Sequence, residues 1–140
     1  MNDPYDLARF VAAQAPSYER ALTELRGGRK TTHWMWYVFP QLRGLGSSPT
    51  AHRYGIAGRE EASAYLAHDL LGPCLREACD AMMTQAGRRS ARDVLGTPDD
   101  LKLRSSMTLF ERVASGAGPF AAVLGAFYRG ERDGRTLARL

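Results

Sequence analysis

Apolar residues recur three or four positions apart along most of the chain, which is the spacing of one face of an α-helix. Prolines and glycines interrupt this pattern where helices would begin or end. The predicted helices run from Pro4 to Pro16, from Ser17 to Gly27, from about Thr32 to Phe39, from Glu60 to His68, from Leu70 to about Gln85, from Ser90 to Gly96, from Thr97 to Gly116 and from Pro119 onwards, with one further turn after Pro49. We therefore expect a single all-α domain over residues 1–140, with six to eight helices, several of them short.

The densest apolar stretch is "HWMWYVFPQLRGLG", residues 33–46, which holds both tryptophans. A helix that is apolar on all sides is buried, so the segment is predicted to be a short core helix that ends before Pro40. A β-strand is the competing interpretation, but no partner strand is evident in the rest of the sequence. If the helix reached back to Lys30, that residue would share one face with His33 and Tyr37.

The clearest helix start is in "TPDDLKLRSSMTLFERV", residues 97–113, where a threonine cap, a proline and two acidic residues follow one another. The stripe of Leu103, Met107 and Phe110 is expected to face the core. The opposite face carries an acid, a base and hydroxyl groups at Asp99, Lys102 and Ser106, with Asp100, Ser105 and Thr108 alongside. Hydroxyl residues are mildly unfavourable inside helices, so this cluster favours either a ligand site or a capped helix start with an Asp99–Lys102 ion pair.

Composition narrows the possible functions only slightly. The net charge of +4 rests on 17 arginines and two lysines, Lys30 and Lys102, and it fits an anionic ligand or nucleic acid. The three histidines share no metal-ligand spacing, so we predict no metal and no cofactor. The chain shows neither a membrane-spanning apolar run nor a secretory signal, so we expect no membrane partner and a cytoplasmic location.

Two groups of residues are candidates for chemistry. The first comprises Lys30, His33, Trp34, Tyr37 and Gln41, with Trp36 beside them, and would suit an anionic ligand that carries a ring. Large aromatic side chains more often serve core packing, which is the favoured interpretation of the rings taken by themselves. The second is the polar face that contains Asp99 and Lys102. Arginine-rich stretches form a third candidate surface, at Arg88, Arg89, Arg92, Arg129, Arg132, Arg135 and Arg139.

The stretches "KTTHWMWYVFPQ", "GLGSS", "EASAYLAHDLLG", "LGTPDDLKLRSSMTLF" and "F…FYRGERDGRTL" together resemble the bacterial domain-of-unknown-function 1810 family, some members of which have been mislabelled calpastatin-like. The resemblance covers about residues 7–137. It implies a compact, mainly α-helical domain and no established activity. Its characteristic stretches coincide with both candidate groups, which favours one shared site between them.

The leading hypothesis is a site for a nucleotide-like or otherwise phosphorylated small molecule, lined by Lys30, His33, Trp34, Trp36, Tyr37, Gln41, Asp99, Lys102, Ser105 and Ser106. If the protein is an enzyme, Asp99 or Asp100 would be the general base and His33 the proton donor in hydrolysis or group transfer. Two alternatives stay open: a nucleic-acid accessory protein that uses its arginines, and a structural or oligomerisation module that uses the aromatic segment. The sequence leaves the oligomeric state open.

Overall fold

The computed structural model describes residues 2–140, and these residues form helices without any β-strand. The chain is a single all-α unit. Its helices are α1 (Ala8–Gln14), α2 (Tyr18–Gly27), α3 (Met35–Val38), α4 (Pro49–Arg53), α5 (Arg59–Ala67), α6 (Leu71–Met83), α7 (Ala91–Leu95), α8 (Asp99–Val113), α9 (Phe120–Tyr128) and α10 (Gly134–Arg139). The described residues thus form ten helices, more than the six to eight predicted, because the turn predicted after Pro49 forms the helix α4 and the polar tail forms the helix α10.

Helix α8 lies at the centre of the fold and packs against α5, α7, α9 and α10. Every residue from 105 to 111 is buried, and the predicted stripe of Leu103, Met107 and Phe110 belongs to the core. The α6 helix closes the other side of the core against α2, α5 and α9. The first turn of α8, which carries the acidic residues and Lys102, therefore projects from a rigid central element.

The aromatic helix is shorter than predicted, since α3 spans Met35–Val38 rather than Thr32–Phe39. The residues before it turn back onto α2, where the Glu24 carboxylate accepts hydrogen bonds from the backbone N–H groups of Thr31 and Thr32 at 2.8 and 3.1 Å. These bonds hold the backbone in a loop. The expected common helical face of Lys30, His33 and Tyr37 is therefore wrong.

The start of α8 also differs from the prediction. The helix begins at Asp99, and no side chain caps its N-terminus, so Thr97 is not the cap that its sequence suggested. The short helix before α8 follows the prediction closely: Ser90 caps α7 and forms a reciprocal capping box with Asp93. Both α7 and α8 thus begin where predicted to within two residues.

The tail after Gly130 folds back onto α8. Thr108 Oγ1 accepts a hydrogen bond from the backbone N–H of Asp133 at 2.9 Å, and Asp133 then caps α10 by accepting from the backbone N–H of Thr136. Thr136 is completely buried at this junction. The hydroxyl of Thr108, which the sequence offered as part of a ligand site, serves instead to fix the C-terminal helix.

The loop between α3 and α4 is fixed by a single parallel bridge between Leu42 and Ile56. Arg43 N donates to Ile56 O at 2.8 Å, and Ile56 N donates to Gln41 O at 2.9 Å. This bridge sets residues 41–46 opposite α8 and α10. No helix within residues 2–140 is long and apolar enough to cross a bilayer.

Candidate functional site

A cavity of about 360 Å³ lies where the loop 41–46, the first half of α8 and the start of α10 meet. We call it the cationic cavity. Its lining consists of Trp36, Gln41, Leu45, Gly46, Pro98, Leu101, Lys102, Arg104, Ser105, Asp133 and Arg135. Its volume falls within the range of about 300–1,000 Å³ that is typical of small-molecule sites.

Positive charge dominates the cationic cavity. Lys102, Arg104 and Arg135 contribute three cations, and Asp133 contributes the one carboxylate of the lining. That carboxylate is already engaged, because its Oδ2 atom accepts from both the backbone N–H and the hydroxyl of Thr136. The cavity therefore offers a net positive wall to a ligand.

Two arginines hold the wall of this cavity in place. Arg135 Nη2 donates to Leu45 O at 2.9 Å, which ties α10 to the loop 41–46. Arg104 Nη2 donates to Arg132 O at 3.1 Å, while its Nε–H group is buried and has no partner among residues 2–140. A buried donor without an acceptor is uncommon, so the Arg104 guanidinium retains unused hydrogen-bonding capacity beside the cavity.

A second, smaller cavity of about 100 Å³ adjoins the first and shares Trp36 and Lys102 with it. We call it the lysine cavity. Its lining consists of Lys30, His33, Trp34, Met35, Trp36, Asp99 and Lys102. The two lysines of the chain, 72 positions apart in sequence, thus meet here, as the shared-site hypothesis requires.

Asp99 joins the two lysines. Its Oδ2 atom lies 3.0 Å from Lys30 Nζ, and its Oδ1 atom lies 3.3 Å from Lys102 Nζ. Each carboxylate oxygen thus already faces one ammonium group, and Asp99 bridges the two lysines. Its role as a general base stays a prediction.

Each lysine also lies over a tryptophan. Lys102 Nζ is 3.6 Å from the centroid of the Trp36 ring, and Lys30 Nζ is 5.2 Å from that of Trp34. Both distances allow a cation–π attraction, and the shorter one belongs to the pair that borders the cationic cavity. The polar and aromatic candidates therefore form one connected unit around Asp99.

Glu24 holds the indole of Trp34 in place through hydrogen bonds. Its carboxylate accepts from the backbone N–H groups noted above, from Thr32 Oγ1 at 2.7 Å and from Trp34 Nε1 at 2.9 Å. Partial burial raises the pKa of the Glu24 carboxyl group, but the hydrogen bonds from Thr32, Trp34 and Thr31 outweigh this effect and lower the pKa to about 2. Glu24 is therefore an ionised anchor that locks the indole in place.

Several predicted site residues do not reach the cationic cavity. Trp34 is 0% exposed, so its ring has no free face on which a ligand could stack. Ser106 is also 0% exposed, and its hydroxyl has no partner within the described chain. The structure therefore places both side chains in the core, outside the lining of the cationic cavity.

Tyr37 and Asp100 are placed elsewhere as well. The Tyr37 hydroxyl donates to His33 O at 3.0 Å, and its ring packs edge-on against Tyr54. Asp100 lines neither cavity; its Oδ1 atom is buried without a partner, and its backbone oxygen accepts from the Tyr128 hydroxyl. The carboxylate proposed as an alternative base therefore lies outside both cavities, and its role as a base stays a prediction.

The remaining predicted residues lie at the two cavities. Gln41, Ser105, Trp36 and Lys102 line the cationic cavity, although the Ser105 hydroxyl donates to Leu101 O at 3.1 Å. His33 is exposed and lines the lysine cavity. The proton-donor role of His33 stays a prediction.

Sequence reasoning missed three contributors: Arg104, Arg135 and the anchor Glu24. Arg104 lies two positions after Lys102. Residues at this spacing lie on different faces of a helix, so the spacing does not predict that both side chains line one cavity. Arg135 was counted only as part of a basic surface, because the tail was not expected to form a helix. Glu24 could have been noticed as the one acidic residue in the second half of α2, but nothing in its spacing links it to an indole ten positions later.

The comparisons with known proteins bear on fold rather than on chemistry. The family model described as "Protein of unknown function (DUF1810)" matches residues 4–140. The crystal structure of the conserved hypothetical protein Rv1873 from Mycobacterium tuberculosis is 58% identical to this chain, with a TM-score of 0.95, and the match covers 99% of this chain and 98% of that one. No protein with a curated description matches. The function must therefore be argued from the site itself.

Proposed function

Because the chain belongs to the DUF1810 family of proteins of unknown function, its relatives supply no activity, and we propose from the site alone that the cationic cavity binds a phosphorylated small molecule. The observation that carries this proposal is the convergence of Lys102, Arg104 and Arg135 on one cavity of about 360 Å³. Three cationic side chains around a concave, partly apolar cavity suit a ligand that carries a phosphate group on a small organic molecule.

The proposal concerns binding rather than catalysis. Both oxygens of Asp99 face lysines, and Asp100 lies outside the two cavities, so the carboxylates do not present a free base to the cationic cavity. Lys30 lines only the lysine cavity, where its side chain is 9% exposed. We therefore assign phosphate contacts to Lys102, Arg104 and Arg135, and we assign Lys30 to holding Asp99.

A thermal-shift titration with inorganic phosphate, AMP and a sugar phosphate tests this proposal. A ligand present at 100 times its dissociation constant adds about 2.7 kcal/mol to the free energy of unfolding. For a chain of this size that corresponds to a rise of several degrees in Tm. The absence of any shift with all three compounds would contradict the proposal.

Matched variants make the test specific to the cavity. Arg135→Ala removes one cation from the cavity wall and should reduce the shift, while Arg112→Ala removes an exposed cation from α8 outside both cavities and should leave the shift unchanged. Equal losses in both variants would indicate that net charge, not the cavity, attracts the anion.

The nucleic-acid alternative is distinguished by the same variants. Of the arginines proposed for such a surface, Arg132 pairs with Glu111, and Arg135 is bonded to Leu45 O. Binding through the remaining exposed arginines would weaken steeply with salt and would be reduced by neither Arg112→Ala nor Arg135→Ala, since neither residue belongs to that set. The oligomerisation alternative is less favoured, because Trp34, Met35, Val38 and Phe39 are already buried within a single chain.

A further inference from the structure

One face of Trp36 is already covered in this structure. Lys102 Nζ lies 3.6 Å from the ring centroid, so no planar group fits between the ammonium and the indole. Trp36 nevertheless lines the cationic cavity and is the one aromatic residue of its lining. A ligand that stacked on this face would first have to displace Lys102.

Lys102 is held in a way that permits this movement. Among residues 2–140, Asp99 is its one ion-pair partner, at 3.3 Å, and its side chain is 19% exposed. Lys30 holds the other oxygen of the same carboxylate at 3.0 Å and is more deeply buried. When Lys102 leaves, Asp99 therefore keeps a paired charge, which removes the main electrostatic cost of the movement.

The rim of the cavity offers apolar surface beside the cations. Leu101 is 54% exposed, which makes it one of two large exposed hydrophobic residues in the described chain, and it lines the cavity together with Pro98 and Leu45. An inorganic anion would gain nothing from these side chains. A flat organic ring held near Trp36 would be contacted by them.

We propose that the ligand joins a flat ring to a phosphate group, as a nucleoside monophosphate does, and that it binds by exchange with Lys102. The phosphate draws the ammonium off the indole, and the ring takes the face of Trp36 that the ammonium leaves. The cation–π contact is replaced by a charge-assisted hydrogen bond to phosphate, which is the stronger interaction. This inference rests on the proposed function and narrows its ligand class.

Calorimetric titration of AMP, adenosine and inorganic phosphate into the wild type and two variants tests the exchange. The wild type should bind AMP at least about tenfold more tightly than either fragment, since the ring and the phosphate act together. In Lys102→Ala the affinity for AMP should fall about tenfold, whereas the affinity for adenosine should rise several-fold because the indole face is open. In Lys102→Met the adenosine affinity should stay at the wild-type value, because the methionine side chain still covers the ring.

Tryptophan fluorescence of the wild-type protein reports on stacking at Trp36 without any substitution of Lys102. Stacking of the base should quench the emission of Trp36 when AMP is added, and inorganic phosphate should not reproduce this quenching. The Trp36→Phe variant keeps the buried Trp34 as its one indole and should show no quenching. Circular dichroism melts of all variants verify that each is folded.

The possible failures are distinct. If inorganic phosphate binds in a way that Arg135→Ala weakens, but AMP binds no more tightly and leaves Trp36 emission unchanged, the exchange is wrong and the anion site stands. An adenosine affinity that does not rise in Lys102→Ala also overturns the exchange. If inorganic phosphate, AMP and the sugar phosphate all fail to bind the wild type, the proposed function fails and this inference fails with it.

Discussion

The two lysine–tryptophan pairs of this protein use the same residue types in different surroundings. In the first pair, Lys30 lies over Trp34, whose ring is 0% exposed and whose Nε1 is bonded to Glu24. In the second, Lys102 lies over Trp36, which borders a cavity lined by arginines. One pair is part of the core and the other is part of a surface that a ligand can reach.

Asp99 makes the two pairs one unit, because each of its oxygens faces one of the lysines. What separates their roles is therefore not the chemistry of the groups but the access of solvent to them. The buried pair is expected to affect stability, and the accessible pair is expected to affect binding. Four experiments test this division.

The largest expected effect comes from removing the buried indole. Trp34→Ala should lower the free energy of unfolding by about 3–5 kcal/mol, because it leaves a cavity in the core and removes the hydrogen bond from Trp34 Nε1 to the Glu24 carboxylate. Trp36→Ala, at a partly exposed position, should cost less than half as much. Urea denaturation measures both, and equal losses would show that the two rings are equally structural.

Glu24→Gln weakens the anchor of the buried pair without creating a cavity. We expect a loss of about 1–2 kcal/mol at pH 7, since a carboxylate accepts these bonds more strongly than an amide. The folded-state pKa of Glu24 is lowered from its usual 4.5 to about 2. Its ionised form therefore contributes fully above pH 4.5, and this contribution is lost as the pH falls towards 2.

The measurement for this variant is the difference in urea midpoint between wild type and Glu24→Gln at several pH values. The difference should be constant from pH 7 to about pH 5 and should shrink between pH 4.5 and pH 2. A difference that stays constant over the acidic range would show that Glu24 is not the ionised anchor of Trp34.

The two lysines provide a paired test of intermediate size. Lys102→Met should weaken phosphate binding about tenfold, which is about 1.4 kcal/mol, while changing stability by less than about 0.5 kcal/mol. Lys30→Met should show the opposite pattern, with a measurable loss of stability and an affinity within about twofold of the wild type. Calorimetry measures the phosphate affinity of the two variants, and urea denaturation measures their stability. A loss of affinity in Lys30→Met as large as in Lys102→Met would contradict the division between a structural and a binding lysine.

The smallest effect is expected at Ser106, which shares the α8 helix with Lys102 but belongs to the core. Its hydroxyl is buried without a partner, so Ser106→Ala should leave stability unchanged or raise it by up to about 1 kcal/mol, with no effect on phosphate binding. A clear loss of affinity in this variant would mean that the hydroxyl reaches the ligand and that the site extends deeper than the two cavities.

Local sequence signals accounted for much of the fold but for less of the site. Periodicity and capping residues located α2, α6 and α7 to within two residues at most ends, because these signals act within a helical turn. One site shared by Lys30 and Lys102 is predicted from the family resemblance, whose characteristic stretches coincide with both candidate groups, and the structure places both ammonium groups on Asp99.

The sequence could not distinguish Trp34 from Trp36, since both lie in the same apolar run. Their difference arises from Glu24, whose carboxylate reaches across a loop to one indole and not the other. The arrival of Arg135 at the cavity depends likewise on a tertiary contact, the hydrogen bond between Thr108 and Asp133, which turns a polar tail into α10. Contacts of this kind leave no periodic trace in a single sequence.

The double engagement of Asp99 has a consequence for how this family can diverge. If the protein binds the proposed ligand, a lineage that no longer needs that ligand could replace Lys102 at little cost. Asp99 and Lys30 would persist in such a lineage, because the loss of either residue would leave the charge of the other without its partner. Comparing substitution rates at these three positions would therefore separate selection for folding from selection for the proposed binding.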